Sequence, residues 1–206
     1  MNGNRNSRPL DARLAAWLIR PLLGSRITPN HLTTVRLLVG LGGCIALALG
    51  GPLWSNAGAL LFALSNFLDH TDGELARAAG SHSRFGHLYD LASDALINAL
   101  VFLCIGIGLR HGELGDLAPL LGLIAGVAVS LIFHLRYLIE ESHGKEATRQ
   151  PRLGAFEAED VLYLLPLVSL AGALEGFLIA AAIGAPAALL IVAAQYRRVC
   201  GKGAVQ

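Results

Sequence analysis

Charged residues of either sign are scarce in this 206-residue chain. Only 15% of its residues are Asp, Glu, Lys or Arg, against about 25% in ordinary soluble domains. A soluble protein of this size needs charged side chains on its surface, so the composition excludes an ordinary soluble globular domain. Disorder is excluded because 54% of the residues are hydrophobic and the net charge is only +1. The same balance excludes a basic nucleic-acid-binding protein, and we expect no nucleic-acid partner.

Cysteine is scarce as well. The three cysteines are Cys44, Cys104 and Cys200, and no two of them form a Cys-x-x-Cys pair. Zinc sites and disulfide frameworks need closely spaced or numerous cysteines, so neither is indicated. We also expect no removable signal peptide, because the polar, arginine-bearing N-terminus is not followed by a short apolar region with a small-residue cleavage site.

The chain contains long apolar runs instead. No charged residue occurs between Leu37 and Leu68, and Gly50-Gly51-Pro52 divides this run in two. Because a helix needs about 20 apolar residues to cross a bilayer, the runs predict a single all-α domain, 1–206, that is a polytopic membrane protein with six transmembrane helices. The predicted helices of this bundle, which covers 30–196, are 30–50, 53–79, 84–108, 117–141, 157–174 and 176–196.

An amphipathic segment precedes the six helices. In residues 10–24, apolar side chains recur at helical spacing between charged ones, which is typical of a helix lying in the membrane interface; a plain positively charged flank is the alternative. All basic residues except Arg110 fall on one side when the six helices alternate, with Arg36 near the start of the first helix. The positive-inside rule therefore predicts that both termini, including a tail at 197–206, are cytosolic.

Two of the predicted helices carry aspartates, which are costly within a bilayer and usually serve a function there. Asp69 and Asp72 share one face of the second helix, and Asp90 and Asp94 share one face of the third. The two helices form a hairpin that turns near Gly80, so both pairs reach a similar depth. Four converging carboxylates repel one another unless a cation joins them. The pattern therefore predicts a site for Mg²⁺ or Mn²⁺, which prefer oxygen ligands.

Small residues and an arginine lie on the same helix faces. Gly73, Ala76 and Arg77 continue the face of the first aspartate pair, and Gly86 continues that of the second. Small side chains leave room for a bulky ligand near the backbone, and the planar guanidinium of Arg77 suits phosphate oxygens. Carboxylates, a cavity and an arginine at the cytosolic face indicate chemistry on a phosphorylated substrate.

The spacing of these residues resembles the signature of the CDP-alcohol phosphotransferase family, whose members are membrane enzymes that make phospholipids. The matching pattern is Asp69-x2-Asp72-Gly73-x2-Ala76-Arg77-x8-Gly86-x3-Asp90-x3-Asp94. The six helices, the interfacial helix and Thr28-Pro29-Asn30-His31 extend the likeness. The segment Ser83-Arg84-Phe85-Gly86 is similar to that of members of the phosphatidylinositol-phosphate-synthase type.

The resemblance implies a role for each motif residue. Asp69, Asp72 and Asp90 would bind a first metal ion, and Asp69, Asp90 and Asp94 would contact a second where two are bound. Asp94 would also be the catalytic general base that takes a proton from the acceptor alcohol. The nucleotide-binding residues would be Thr28, Pro29, Asn30, His31, Gly73, Ala76, Arg77, Ser83 and Gly86.

The resemblance also implies partners and a location. The donor would be a CDP-linked lipid or CDP-alcohol, with CDP-diacylglycerol as the expected one, and CMP would be released. The acceptor would be a small or a lipid alcohol. A homodimer in a prokaryotic cell membrane is expected, with the active site cytosolic. Glycine-rich faces at 40–43 and 122–126 permit close helix packing without indicating what they pack against.

The acceptor alcohol is left open by the sequence. Arg136 resembles a residue that holds a phosphorylated acceptor in relatives, and Arg197 or Arg198 could contribute. The predicted fifth helix, however, begins with Glu157 and Glu159, where those relatives have arginines. These acids can be read in two ways. In the first, they favour a neutral or cationic acceptor alcohol, or the reverse arrangement in which a CDP-linked small alcohol is donated to a lipid. In the second, they only complement the helix dipole.

Intramembrane carboxylates also occur in small cation or proton transporters, which is the alternative function. A non-catalytic scaffold is a third possibility. Against transport, the aspartates occupy one hairpin only, and the sequence shows no inverted repeat. A scaffold, in turn, has no need for the Gly-Ala-Arg face beside the aspartates.

Overall fold

The computed structural model describes residues 25, 28–79, 83–143 and 160–200, and within these ranges every regular element is helical. The predicted interfacial helix at 10–24 lies outside the described residues, as do Glu157 and Glu159. The helices are α1 (Pro29–Leu49), α2 (Gly51–Ala79), α3 (Arg84–Leu109), α4 (Leu117–His143), α5 (Asp160–Tyr163), α6 (Leu165–Leu170) and α7 (Leu174–Cys200).

Four of these helices are long and apolar enough to cross a bilayer. Their outer surfaces carry large apolar side chains; Leu190 and Ile191 on α7, for example, are 73% and 71% exposed. A surface of this kind suits a hydrocarbon environment. The all-helical architecture expected from the sequence is therefore confirmed. The four candidate spans are Pro29–Leu49, Arg84–Leu109, Leu117–Ser142 and Leu174–Val199.

The other two predicted spans differ from these four. α2 is 29 residues long, but side chains such as Asn56 and Asn66 lower the hydropathy of its apolar half. The helix expected at 157–174 is interrupted at Leu164 between α5 and α6. Pro166 explains the interruption, because it has no N–H to bond to the carbonyl four residues earlier and its ring collides with that carbonyl. Six spans therefore remain a prediction.

The turn between α1 and α2 depends on glycine. Gly50 and Gly51 have φ angles of 71° and 76°, which residues with a Cβ atom rarely adopt. Gly50 also touches α3, since a Cβ atom on it would lie 2.5 Å from the carbonyl oxygen of Gly108. The helix break predicted at this position is confirmed, and it lets α1 and α2 run side by side.

Glycines also let the helix backbones approach one another closely. A Cβ atom on Gly58 of α2 would lie 2.7 Å from the carbonyl oxygen of Gly43 on α1. Gly122 of α4 packs in the same way against the carbonyl of Phe102 on α3. Close van der Waals packing of this kind drives helix association within a membrane. Both glycine-rich faces noted in the sequence thus have partners inside this chain.

The bundle is arranged around α1 and α4. α1 packs against α2 and α3, α4 packs against α3 and α7, and α6 packs against α2. The apolar interior includes Phe62, Ile105 and Leu178, each at most 1% exposed. This arrangement brings the N-terminal part of α1 between the C-terminal part of α2 and the N-terminal part of α3, where the motif residues lie.

Candidate active site

The four motif aspartates form two pairs, each pair at a matching depth on α2 and α3. Asp72 is seven residues before the end of α2, and Asp90 is six residues after the start of α3. At 1.5 Å per residue, both are about 10 Å from the end of the bundle where α2 and α3 are connected. Asp69 and Asp94 lie about one turn deeper on the same faces. The helices therefore bring both pairs to one place.

A guanidinium group lies among the four carboxylates. Nη1 of Arg36 is 3.1 Å from Asp69 Oδ1 and 2.5 Å from Asp94 Oδ1. Nη2 is 2.5 Å from Asp90 Oδ1, and Nε is 3.2 Å from Asp72 Oδ2. Arg36 thus pairs with every motif aspartate at once. Sequence reasoning missed it as a site residue, because its position near the start of the first helix already fitted the positive-inside pattern.

We call the four carboxylates of Asp69, Asp72, Asp90 and Asp94 the aspartate centre. Hydrogen bonds from α1 and α2 fix its inner side. The side chains of Arg36 and Asp72 are only 3% and 4% exposed. Thr33 Oγ1 donates to Asp72 Oδ2 at 2.8 Å, and Ser65 Oγ donates to the backbone carbonyl of Arg36 at 2.9 Å. Buried charges are tolerated when they are paired and hydrogen-bonded. Arg36 and Asp72 are paired with each other and each accepts or donates hydrogen bonds elsewhere, although Nε of Arg36 has no hydrogen-bond partner of its own among the described residues.

The remaining side of the aspartate centre is open. The side chains of Asp69, Asp90 and Asp94 are 31%, 38% and 37% exposed. The centre therefore has a closed side, formed by α1, and an accessible side from which a ligand can reach three of the four carboxylates.

The donor atoms suit a divalent cation. Asp69, Asp72 and Asp90 each offer one carboxylate oxygen, and these oxygens lie within 4.8 Å of one another. A set made only of oxygens matches the preference of Mg²⁺ and Mn²⁺. Arg36 is the exception, because a guanidinium offers no metal ligand and carries the same sign of charge as the ion.

Residues expected to bind the nucleotide lie at the same end of the bundle. A Cβ atom on Gly86 would be 2.7 Å from Asn30 Oδ1 and 2.9 Å from Ser83 Oγ, so these three residues are in contact. The Ser83 hydroxyl accepts a hydrogen bond from the Gly86 N–H at 2.9 Å and caps α3. At the start of α1, the Thr28 N–H donates to Nδ1 of His31 at 3.3 Å. The structure therefore joins the beginnings of α1 and α3.

The other expected nucleotide-binding residues have simpler placements. Pro29 is the first residue of α1, where its missing N–H costs no helical hydrogen bond. Gly73, Ala76 and Arg77 follow the aspartates along α2, and the Arg77 side chain is exposed. At these positions α2 continues beyond the aspartate centre toward its C-terminal end.

A cavity of about 300 Å³ opens beside Asp69 and Asp94. Asn66 lies three residues before Asp69, and Asn98 lies four after Asp94, so each aspartate face continues into this cavity. That spacing is a sequence signal that would have indicated both asparagines. The polar lining comes from α2, α3, α4 and α5 and comprises Asn66, Asp69, Asp94, Asn98, Ser130, His134, Arg136, Tyr137, Glu140 and Tyr163.

Arg136, expected on the acceptor side, lines this cavity together with Glu140 four residues further along α4. At that spacing both project from one face of the helix. Arg197 and Arg198 are exposed near the end of α7 and do not belong to the described lining. The cavity wall thus combines a cationic and an anionic side chain.

Comparison with known proteins gives one family. The profile of CDP-alcohol phosphatidyltransferase matches residues 26–194. The bifunctional IPC transferase and DIPP synthase of Thermococcus kodakarensis is 32% identical over 124 residues, which are 60% of this chain and 28% of that protein. The phosphatidylinositol phosphate synthase of Mycobacterium marinum is 32% identical over 96 residues, 47% of this chain and 40% of that one. The chain thus spans less than half the length of these relatives.

Solved structures share the fold. A Mycobacterium tuberculosis phosphatidylinositol phosphate synthase with CDP-DAG bound aligns with a TM-score of 0.70 at 19% identity, over 90% of this chain and 94% of that one. The same enzyme in complex with manganese and citrate aligns with a TM-score of 0.62 at 20% identity, over 86% and 88% of the two chains. The overall helical arrangement is therefore that of a known membrane enzyme.

Proposed function

The chain belongs to the CDP-alcohol phosphatidyltransferase family of transferases, and from this membership we propose that it moves a substituted phosphate group from a CDP-linked lipid to an acceptor alcohol, releasing CMP. The observation that carries the proposal is the meeting of four motif aspartates beside a polar cavity. The transporter alternative has no support, because the family and the relatives are transferases.

The aspartate centre would hold Mg²⁺ or Mn²⁺. Asp69, Asp72 and Asp90 would be the ligands of one ion, and Asp94 would join Asp69 and Asp90 at a second. A bound ion of this kind supplies positive charge that stabilises the phosphate oxygens in the transition state. The oxygen donor set supports this assignment, as does the manganese in the complex of the structural neighbour.

The nucleotide end of the donor would lie along the exposed end of α2. The small side chains of Gly73 and Ala76 would leave room near the backbone, and Arg77 would pair with the pyrophosphate. Gly86 would border the pocket, where it lies against Asn30 and Ser83. Thr28, Pro29, Asn30, His31 and Ser83 would complete the pocket from the starts of α1 and α3. We propose CDP-diacylglycerol as the donor, since the structural neighbour binds CDP-DAG. Its acyl chains would remain in the bilayer against the apolar helix surfaces.

Asp94 occupies the border between the aspartate centre and the cavity. An acceptor hydroxyl in the cavity would therefore lie beside its carboxylate. Asp94 would take the hydroxyl proton while the oxygen forms a bond to the lipid-side phosphorus. The bond from that phosphorus to the bridging pyrophosphate oxygen would break, and CMP would leave with the negative charge.

The cavity lining suits a small polar alcohol. Asn66, Asn98 and Ser130 offer hydrogen bonds to hydroxyl groups. Arg136 favours an acceptor that carries phosphate, whereas Glu140 beside it favours a neutral or cationic one. A panel that includes both kinds of acceptor is therefore the informative experiment.

The four apolar spans and the family make this an integral membrane protein. We propose that the end of the bundle that holds the aspartates faces the cytosol, because every basic residue except Arg110 belongs to that side in the six-helix topology. A homodimer in a prokaryotic cell membrane is also proposed. Light scattering of the purified protein measures the oligomeric state, and thiol labelling of Arg110→Cys in intact cells tests the orientation.

The activity test uses the purified chain in nanodiscs. CDP-diacylglycerol is combined with inositol, inositol phosphate, glycerol, glycerol phosphate and amino alcohols, and CMP and the new lipid are quantified by mass spectrometry. We expect CMP release that needs both an acceptor and Mg²⁺ or Mn²⁺ and stops when EDTA is added. Release of no CMP from any CDP-lipid or CDP-alcohol, across the whole panel, contradicts the proposed activity.

A further inference from the structure

We propose that Arg36 is an internal counter-cation of the aspartate centre, which holds the four carboxylates together and which a divalent ion must displace in order to bind. This inference rests on the metal dependence proposed above and adds a residue that the family motif does not include. It makes Arg36 a positioning residue, since it acts through the carboxylates.

The contacts of Arg36 carry the inference. Its three guanidinium nitrogens reach all four aspartates at 2.5–3.2 Å. Three of these, Asp69, Asp72 and Asp90, are also the residues whose oxygens lie within 4.8 Å of one another. The same carboxylates are therefore both the partners of the arginine and the candidate ligands of the ion.

Electrostatics make the two occupants competitors. A divalent ion would contact carboxylate oxygens that already lie 2.5–3.2 Å from the guanidinium nitrogens. At such a short distance the ion and the guanidinium, both positively charged, would repel each other strongly. The repulsion is increased because Arg36 is 3% exposed and therefore poorly screened by water. The ion and the guanidinium therefore exclude each other from the centre.

The contacts of α1 indicate which part of Arg36 would move away from the carboxylates. The Ser65 hydroxyl holds the backbone carbonyl of Arg36 at 2.9 Å, so α1 stays anchored to α2. The guanidinium is carried by a long side chain with several rotatable bonds. We therefore infer that the side chain of Arg36, and not α1, moves when the ion binds.

A purely structural role makes the opposite prediction. If Arg36 only aligned the aspartates for the ion, its removal would scatter the ligands and weaken metal binding. If it competes, its removal leaves four unbalanced carboxylates, which lowers stability without metal but strengthens metal binding. Stability and metal affinity then change in opposite directions.

The test is a Mn²⁺ titration of the full chain in nanodiscs, with free Mn²⁺ followed by electron paramagnetic resonance and unfolding followed by thermal scans. In Arg36→Gln we expect the Kd for Mn²⁺ to fall about tenfold or more, a lower Tm in EDTA than the wild type, and a larger rise of Tm with Mn²⁺. Arg110→Gln, at the opposite end of α3, is the matched control and should leave the Kd unchanged.

Each result separates the two proposals. If the wild type binds Mn²⁺ and Arg36→Gln binds it equally well or more weakly, Arg36 does not compete with the ion, while the proposed metal dependence is still supported. Absence of Mn²⁺ binding in both proteins overturns both. If Arg36→Gln does not fold, Arg36→Lys carries the test, because one ammonium cannot contact four carboxylates and this variant should also bind Mn²⁺ more tightly than the wild type.

Discussion

Asn30 on α1 and Gly86 on α3 are in direct contact, so close that a Cβ atom on Gly86 would lie 2.7 Å from Asn30 Oδ1. The space that this motif glycine leaves is therefore occupied in part by a side chain of the same protein. The contact closes the start of α1 onto the start of α3, and it fixes the position of the residues that we assign to the nucleotide.

Gly86→Ala is expected to impair donor binding more than stability. The added methyl group must push aside the Asn30 side chain and the Ser83 hydroxyl that caps α3. Both groups are ends of side chains that can rotate, and alanine at this third residue of α3 recovers part of the roughly 0.5–1 kcal/mol that glycine costs within a helix, so the cost in folding is small. We expect a several-fold increase in KM for the CDP-lipid with a small change in Tm, measured by steady-state CMP release and thermal scans.

Gly42→Ala is the control for this substitution. Gly42 lies on α1, the helix that carries Asn30, and a Cβ atom on it would meet no atom within 4 Å. Its KM should equal that of the wild type. Equal KM values for Gly86→Ala and the wild type would contradict the assignment of this contact to the nucleotide pocket.

Thr33→Val is expected to destabilise the protein by about 1.5–3 kcal/mol, the usual contribution of a hydrogen bond to a charged group. Valine has nearly the shape of threonine but cannot donate to the buried Asp72 carboxylate, which Thr33 Oγ1 contacts at 2.8 Å. Unfolding in denaturant in mixed micelles measures the change. Thr33→Ser keeps the hydroxyl and should retain most of the stability; equal losses in both variants would assign the effect to packing.

Asp94→Asn is expected to lower turnover by about 10²–10⁴-fold, the typical contribution of a general base, while CDP-lipid binding is largely kept. Asp69→Ala and Asp90→Ala should weaken both turnover and binding, because their carboxylates belong to the proposed metal site. Single-turnover CMP release and equilibrium binding of labelled donor separate the two effects. Near wild-type turnover by Asp94→Asn would show that another residue is the general base.

Arg136→Gln is expected to raise KM for the acceptor and to leave KM for the donor unchanged, because Arg136 lines the cavity rather than the nucleotide end of α2. The effect should be largest, roughly tenfold or more for a lost charge-assisted contact, if the acceptor carries phosphate. Glu140→Gln should have the larger effect if the acceptor is cationic. A change confined to the donor KM in both variants would contradict the placement of the acceptor in this cavity.

Gly122→Ala is expected to destabilise the bundle by about 1–3 kcal/mol, as overpacking does. Its methyl group would collide with the Phe102 carbonyl, a backbone atom that cannot move aside alone. Gly184→Ala on α7, where a Cβ atom meets nothing within 4 Å, is the control and should be neutral. If Gly122→Ala instead changes the oligomeric state and not the unfolding midpoint, this face serves contacts between protomers.

Local patterns account for what the sequence predicted well. Charge-free runs, extended to the length that a bilayer requires, placed the ends of α1, α3 and α4 within about two residues, because apolar side chains facing lipid leave a continuous signal. The aspartate spacings predicted shared helix faces, since three and four residues correspond to about one turn. Both inferences need only one helix at a time.

Features that depend on more than one helix were missed. Arg36 became a site residue only when α1 packed between α2 and α3, and its charge already had another explanation. The partners of Gly43 and Gly122 are likewise set by packing. The interruption at Leu164 was missed because the leucines around Pro166 continue the apolar run that was used to define the helix.

The order of the helices along the chain affects how the protein enters the membrane. Arg36 is on α1, and the last of its partners, Asp94, comes 58 residues later on α3. During synthesis the arginine therefore reaches the bilayer first, near the interface, where its long side chain can extend to water. The hairpin of α2 and α3 alone would insert four negative charges, which is costly. If α1 is inserted first, its guanidinium offers these acids an opposite charge, which would lower the free-energy cost of inserting α2 and α3.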